Sequence, residues 1–231
     1  MNRTLDVGTS IAASLARLGS GVSVGTLGRR PDQALQLYEF ESCPFCRKVR
    51  EALTILDVDV DVFPCPKGGE RFRPGVVEVG GKALFPYLVD PNTGKALYES
   101  DDIVRYLFAE YGNGKVPALL AAGPLTLGGA MLASGLRLGF GERVQASRAP
   151  ARPLELWSFE ASPFCRIVRE KLCTLELPYR LHNVGKGSPG RPAFIERAGR
   201  MRVPYLADPN GGVELFESAD IVSYLEATYG A

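Results

Sequence analysis

The sequence lacks several features that mark familiar functions. It has one histidine, His182, and one Cys-x-x-Cys pair, too few ligands at the usual spacing for a zinc site, so no metal is expected. Its 27 basic and 26 acidic residues nearly cancel to a net charge of +1. Without a basic stripe, and with no recognisable RNA or DNA motif, a nucleic-acid partner is not expected. Five cysteines, Cys43, Cys46, Cys65, Cys165 and Cys173, make an odd and irregular set. That is a poor disulfide framework and implies a reducing compartment. The N-terminus lacks the charged-then-apolar plan of a secretory signal, and its Ser, Gly and Arg content is compatible with a processed organelle precursor. What is present is an ordinary globular composition, 45% hydrophobic and 23% charged, over 231 residues.

The chain is written twice. Cys43-Pro-Phe-Cys46 returns as Ser162-Pro-Phe-Cys165, Phe85-Pro-Tyr-Leu as Val203-Pro-Tyr-Leu, and Glu99-Ser100 as Glu217-Ser218; each copy closes on Tyr-Gly. The offset is 119 residues at the cysteines and 118 from Pro86 onward, so a single-residue indel lies between. A shorter echo joins Ala13–Gly21 to Ala133–Gly141. Constant spacing of this kind marks a duplicated structural unit.

Within each unit the patterning follows one order. Leu35–Phe40 and Leu154–Phe159 alternate as strands. Pro44 suits the first turn of a helix, and Val49, Leu53 and Leu56 share one face of it. Val58, Val60 and Val62 alternate with aspartates as a second strand. A Gly-, Pro- and basic-rich region over 67–74 follows, where the second unit has a clearer helix at Ala193–Ala198. Two short strands lead to a last helix over 101–111. The order β-α-β-α-β-β-α is the thioredoxin-like plan, so the expected fold class is α/β with two tandem units. The expected divisions are an N-terminal helical extension over 1–34, a first unit over 35–112, an apolar helical linker over 113–153 and a second unit over 154–231.

The chemistry concentrates in the first unit. A cysteine immediately before a helix lies against unpaired N–H groups and the positive end of the helix dipole, which favours thiolate. Arg47 and Lys48 are expected to add to this, making Cys43 the candidate nucleophile and Cys46 the resolving thiol. The Phe85–Pro86 bond is a candidate cis peptide whose strand presents backbone to a peptide-like ligand. Ser100 reads as the cap of the last helix, which with Glu99 would hold the carboxylate and ammonium of a ligand. Cys165 is expected to be buried, Cys65 and Cys173 to serve packing, and His182 to be structural.

Thiol turn, Pro loop and Glu-Ser helix start together resemble the glutathione-binding N-terminal domain of glutathione S-transferases, and glutaredoxins. The stretch Cys43–Arg50 is most similar to the glutaredoxin-like domain of membrane-associated prostaglandin E synthase type two and, less closely, to omega-class transferases. The tandem layout resembles plastid and cyanobacterial two-domain proteins, which implies a chloroplast stroma or a cyanobacterial-type cytoplasm. The resemblance implies glutathione as ligand, its sulfur at Cys43, its backbone at Phe85 and Pro86, and its γ-glutamyl end at Glu99 and Ser100. In the second unit it implies a frame of Ser162, Val203, Pro204, Glu217 and Ser218 without the nucleophile. The pattern departs from transferases in having no all-helical domain after either unit.

Residues 116–136 carry no charge over a length that spans a bilayer, but two prolines and four glycines favour a helical linker between the units over membrane association. The leading expectation is a glutathione-linked thiol-disulfide oxidoreductase acting on a protein disulfide or glutathionylated partner, with a redox-silent second unit. Two alternatives stand beside it. One is a non-catalytic scaffold or subunit of a larger complex, photosynthetic or membrane-associated. The other is a transferase or isomerase of a lipophilic substrate.

Overall fold

The computed structural model describes residues 3–15, 20–121, 137 and 139–231. In the first unit β1 (Leu35–Glu39) is followed by α2 (Pro44–Leu56), β2 (Val60–Pro64), α3 (Arg73–Gly80), β3 (Tyr87–Asp90), β4 (Lys95–Leu97) and α4 (Ser100–Tyr111). The second repeats the order as β5 (Leu154–Ser158), α6 (Pro163–Thr174), β6 (Tyr179–Asn183), α7 (Arg191–Ala198), β7 (Tyr205–Asp208), β8 (Val213–Phe216) and α8 (Ser218–Tyr229). Helix α1 (Arg3–Leu15) precedes them, and the short α5 (Ala118–Ala121) is the one described helix between the units. Most of the apolar 116–136 stretch lies outside the described residues. Among the described residues no helix is long and apolar enough to cross a membrane.

The periodicities explain the elements. Leu35, Leu37, Val60 and Val62 are buried on alternate positions of parallel β1 and β2, and Val49, Leu53 and Leu56 form the buried face of α2. The first unit's second helix, α3, begins only at the end of the 67–74 region, with Pro74 in its first turn, where a missing N–H has no helical partner to lose. The repeated Asp-Pro-Asn turn has a structural cause. Asp90 Oδ1 accepts from the Asn92 N–H at 2.8 Å, and its Oδ2 accepts from Tyr106 and Tyr111, tying β3 to α4. Asp208, Asn210, Tyr224 and Tyr229 repeat the arrangement.

The units join directly, strand to strand. Antiparallel pairing of β2 with β6, Val60 opposite Leu181 and Val62 opposite Tyr179, makes one eight-stranded sheet of order β4-β3-β1-β2-β6-β5-β7-β8. Each unit thereby covers the other's exposed edge strand, and one apolar core runs across both. Above the seam α2 and α6 meet through buried charge. Arg50 contacts Glu160 at 2.9 Å and Glu41 at 3.2 Å, while its counterpart Arg169 contacts Glu41 at 3.1 Å and Glu160 at 2.8 Å. Glu39 pairs with Arg50 from below.

The upstream echo has a structural counterpart. Residues 22–24 pair with Lys186 of the second unit, and residues 142–144 pair with Lys67 of the first, so each arm crosses to the other unit. Gly21 and Gly141 make the crossings possible with φ of 77° and 73°, where a Cβ would come within 2.9 Å of Glu160 and 3.0 Å of Glu41. Helix α1 likewise leaves its own unit: Ser10 donates to the Pro163 carbonyl at 2.7 Å and Arg166 donates to the Ser10 carbonyl at 2.6 Å.

Candidate functional site

Cys43 is the N-cap of α2, with φ −71° and ψ 122°. Its Sγ accepts from the Cys46 N–H at 3.4 Å and lies 3.9 Å from the Phe85 carbonyl oxygen. The Cys46 thiol and the first N–H groups of α2 hold the Cys43 thiol below its ordinary value, although burial opposes them. Burial pushes the Cys46 thiol well above its ordinary value, and Cys43 pushes the same way. The two sulfurs are therefore unequal, with the acidic one at the helix terminus. Cys43 is 4% exposed and Cys46 is fully buried.

Two expectations about this site are corrected. Arg47 and Lys48 do not supply the acidity of Cys43. Arg47 is buried toward the other unit, facing Glu160 at 3.9 Å, and Lys48 pairs with Asp101 on α4. Ser100 is not the helix cap. It is the first residue of α4, and Glu99 holds the N-cap position with no side-chain capping bond.

Glu99 has φ 63° and ψ 114°, and Glu217 has φ 64° and ψ 120°. A non-glycine residue in such a conformation costs about 1–3 kcal/mol and is typical of sites where geometry is held for function. Both copies keep it, so the strain belongs to the unit's plan. Substituting Glu99→Gly removes the penalty, less the entropy that glycine loses on folding. It is expected to stabilise the protein by roughly 1 kcal/mol in thermal denaturation.

The second unit keeps the frame closely. Ser162 has φ −69° and ψ 120° and accepts from the Cys165 N–H at 3.3 Å, so its hydroxyl takes the place of the Cys43 thiol. Val203, Pro204, Glu217 and Ser218 line one small cavity of about 190 Å³ with Phe164 and Arg202. Phe85–Pro86 and Val203–Pro204 are both cis. In this cavity Arg202 pairs with Glu217 at 2.7 Å, whereas the first unit has Leu84 at the matching place. Arg202 was not anticipated. The 118-residue offset sets it opposite Leu84, a change of charge that comparison of the copies reveals.

All five cysteines are free and buried; Cys173 donates to the Gly141 carbonyl, and Cys65 packs with Val76 and Tyr87. Among the described residues no group of side chains is arranged to hold a metal ion. His182 Nδ1 donates to Asp59 at 2.7 Å, and the ring stacks on Trp157 at 4.3 Å.

Fold and sites define a tandem thioredoxin-like protein with one thiol-bearing and one hydroxyl-bearing helix terminus. A family model for the glutathione S-transferase N-terminal domain matches residues 37–115 and again residues 156–231, and the chain belongs to that family. Among solved structures, a Bombyx mori glutathione transferase is similar at 28% identity over 42% of this chain and 43% of its own, with a TM-score of 0.34. The Bombyx mori enzyme in complex with GTT gives 27% identity, 40% and 45% coverage and a TM-score of 0.34. Leishmania TDR1, a trimeric glutathione transferase, gives 14% identity, 86% and 69% coverage and a TM-score of 0.30. The chain spans less than half the length of the Bombyx mori enzyme. No curated protein matches it.

Proposed function

We propose that the protein is a glutathione-linked thiol-disulfide oxidoreductase in which Cys43 is the nucleophile and the second unit holds ligand without redox turnover. The observation that carries this reading is the asymmetry at α2: an acidified Cys43 Sγ at the helix start and a Cys46 thiol kept protonated three residues on. In the proposed cycle the Cys43 thiolate attacks one sulfur of a disulfide or of a glutathionylated partner. The other sulfur leaves as thiolate and takes up a proton. The mixed disulfide at Cys43 is then attacked by Cys46 or by a glutathione thiolate. Glutathione in that step lies along Phe85 and Pro86, with its γ-glutamyl end at Glu99 and Ser100. Ser162, Val203, Pro204, Glu217 and Ser218 form the matching frame in the second unit, where Arg202 competes with a ligand ammonium for Glu217.

Alkylation with iodoacetamide, mapped by peptide mass, tests the assignment at its first step. Cys43 is expected to react at neutral pH ahead of Cys46, Cys65, Cys165 and Cys173, and glutathione is expected to slow it. A Cys43 that resists alkylation at neutral pH would exclude nucleophilic use and favour the scaffold reading.

A further inference from the structure

A cavity of about 530 Å³ lies away from both helix-terminus sites, where α7 and the ends of β5 and β6 meet the end of α2. It exists because the duplication is imperfect here. The loop from Gly68 to Arg73 is one residue longer than its copy from Gly187 to Arg191, and this is where the repeat offset changes. In the first unit Phe72, the residue before α3, packs edge-on against Phe63 at 5.4 Å. In the second unit the residue before α7 is Gly190, and His182 stands where Phe63 does. A ring-sized space is left beside Trp157, His182 and Phe194.

The space also contains unmet hydrogen-bonding capacity. Asp57 and its counterpart Glu176 both end their helices in the left-handed region, with φ of 54° and 47°. Glu176 accepts from the N–H groups of Glu70 and Arg71 at 3.3 and 3.1 Å. The short loop cannot repeat this, since Pro189 has no N–H and the Gly190 N–H donates to Ser188 Oγ at 3.0 Å. Asp57 Oδ1 is left buried without a hydrogen bond, and so is His182 Nε2, which stands 3.9 Å from Glu155 Oε2. Asp59 at Nδ1 favours the tautomer in which Nε2 is an acceptor. Two cations line the space: Arg30 donates to the Leu56 and Asp57 carbonyls and reaches Asp57 Oδ2 at 3.5 Å, and Arg197 pairs with Glu214 while lying over the Trp157 ring at 4.9 Å, so both already have carboxylate partners. A buried polar atom left unpaired costs about 1–3 kcal/mol, so these two acceptors favour a ligand that brings donors.

We propose that this cavity binds a small aromatic cation, a planar ring carrying an amidinium, guanidinium or ammonium group. The ring takes the place that Phe72 fills in the first unit, and the cationic N–H groups donate to Asp57 Oδ1 and His182 Nε2. The proposal is independent of the thiol chemistry.

The chain's single tryptophan, Trp157, lines the cavity and reports on it. The full chain is titrated with benzamidine and with benzoate, its isosteric anion, while Trp157 fluorescence is followed. Benzamidine is expected to give a saturable change and benzoate none over the same range. Gly190→Phe, whose backbone φ of −76° suits any side chain, should fill the space and abolish the response with an unchanged Tm. Asp57→Asn should weaken binding by about tenfold, the worth of a hydrogen bond to a charged group. No saturable response to benzamidine, an equal response to benzoate, or a response that survives Gly190→Phe would each overturn the proposal.

Discussion

Replacing Cys43 by serine is expected to abolish glutathione-linked disulfide reduction, a loss of roughly 10³-fold or more, because the attacking atom itself is removed. The effect should be chemical rather than structural. Ser162 already occupies the equivalent N-cap with backbone angles within a few degrees of those at Cys43, and it receives the same N–H bond. The helix start therefore tolerates a hydroxyl, and the Tm of Cys43→Ser should stay close to that of the parent. Cys165→Ser provides the contrast. Its thiol is fully buried and burial pushes its pKa up, so turnover should be retained whatever the cost to packing. Cys46→Ser separates the two resolving routes: turnover that persists with glutathione present identifies the tripeptide thiol as the resolving group. Assays of all three variants on one low-molecular-weight disulfide, with glutathione recycling, decide the matter. Retained activity in Cys43→Ser ends the oxidoreductase assignment.

Much of this site was legible because its chemistry depends on short spacings that the chain repeats. Cys43 before α2 and Pro86 before β3 sit where their patterns place them. The cap of α4 falls one residue before Ser100, because Glu99 adopts a φ of 63° that the sequence pattern expects of glycine or asparagine. Arg47 and Lys48 follow Cys43 closely along the chain, but Arg47 faces Glu160 of the other unit and Lys48 pairs with Asp101 on α4. Arg47 and Arg50, three residues apart, share the face that looks across to the other unit. The joining of β2 to β6 rests on complementarity between distant segments, such as Asp61 and Arg180 meeting at 2.7 Å, and no local pattern announces it. The cavity beside Trp157 was hidden in the same way. His182 reads as an isolated strand residue until the one-residue indel is located in the loop that faces it.

The buried charges between α2 and α6 give the largest expected effect on stability. Glu41 and Glu160, Arg47 and Arg166, and Arg50 and Arg169 are pairs in the 119-residue repeat, and all six are buried at the seam. Burial acts to raise the Glu160 carboxyl, but Arg169, Arg50, Arg47 and Arg166 outweigh it and hold the pKa down at about 2. Glu160→Gln removes the charge those guanidiniums share and is expected to destabilise the protein by about 3–5 kcal/mol, because it leaves buried cations without compensation. Arg180→Ala, which breaks the half-exposed pair with Asp61, is expected to cost about 1 kcal/mol or less. The pH dependence follows from the direction of the shift. A carboxyl lowered from 4.5 to about 2 contributes stability that is present above the ordinary range and disappears as pH falls through the native value, on the order of 3 kcal/mol in all. Glu39 has the opposite sign. Burial raises it to about 7, so its contribution is complete below about 4.5 and is lost as pH rises toward 7. Below about pH 4.5 Glu39 is protonated in both states, and the slope of stability against pH carries the Glu160 contribution. Urea midpoints taken from about pH 5 downward should therefore fall steeply in the parent and more gently in Glu160→Gln. An equal acid slope in the two proteins would show that the seam is not held by the ionised Glu160 and that the units cohere through the β2–β6 pairing and the shared apolar core alone.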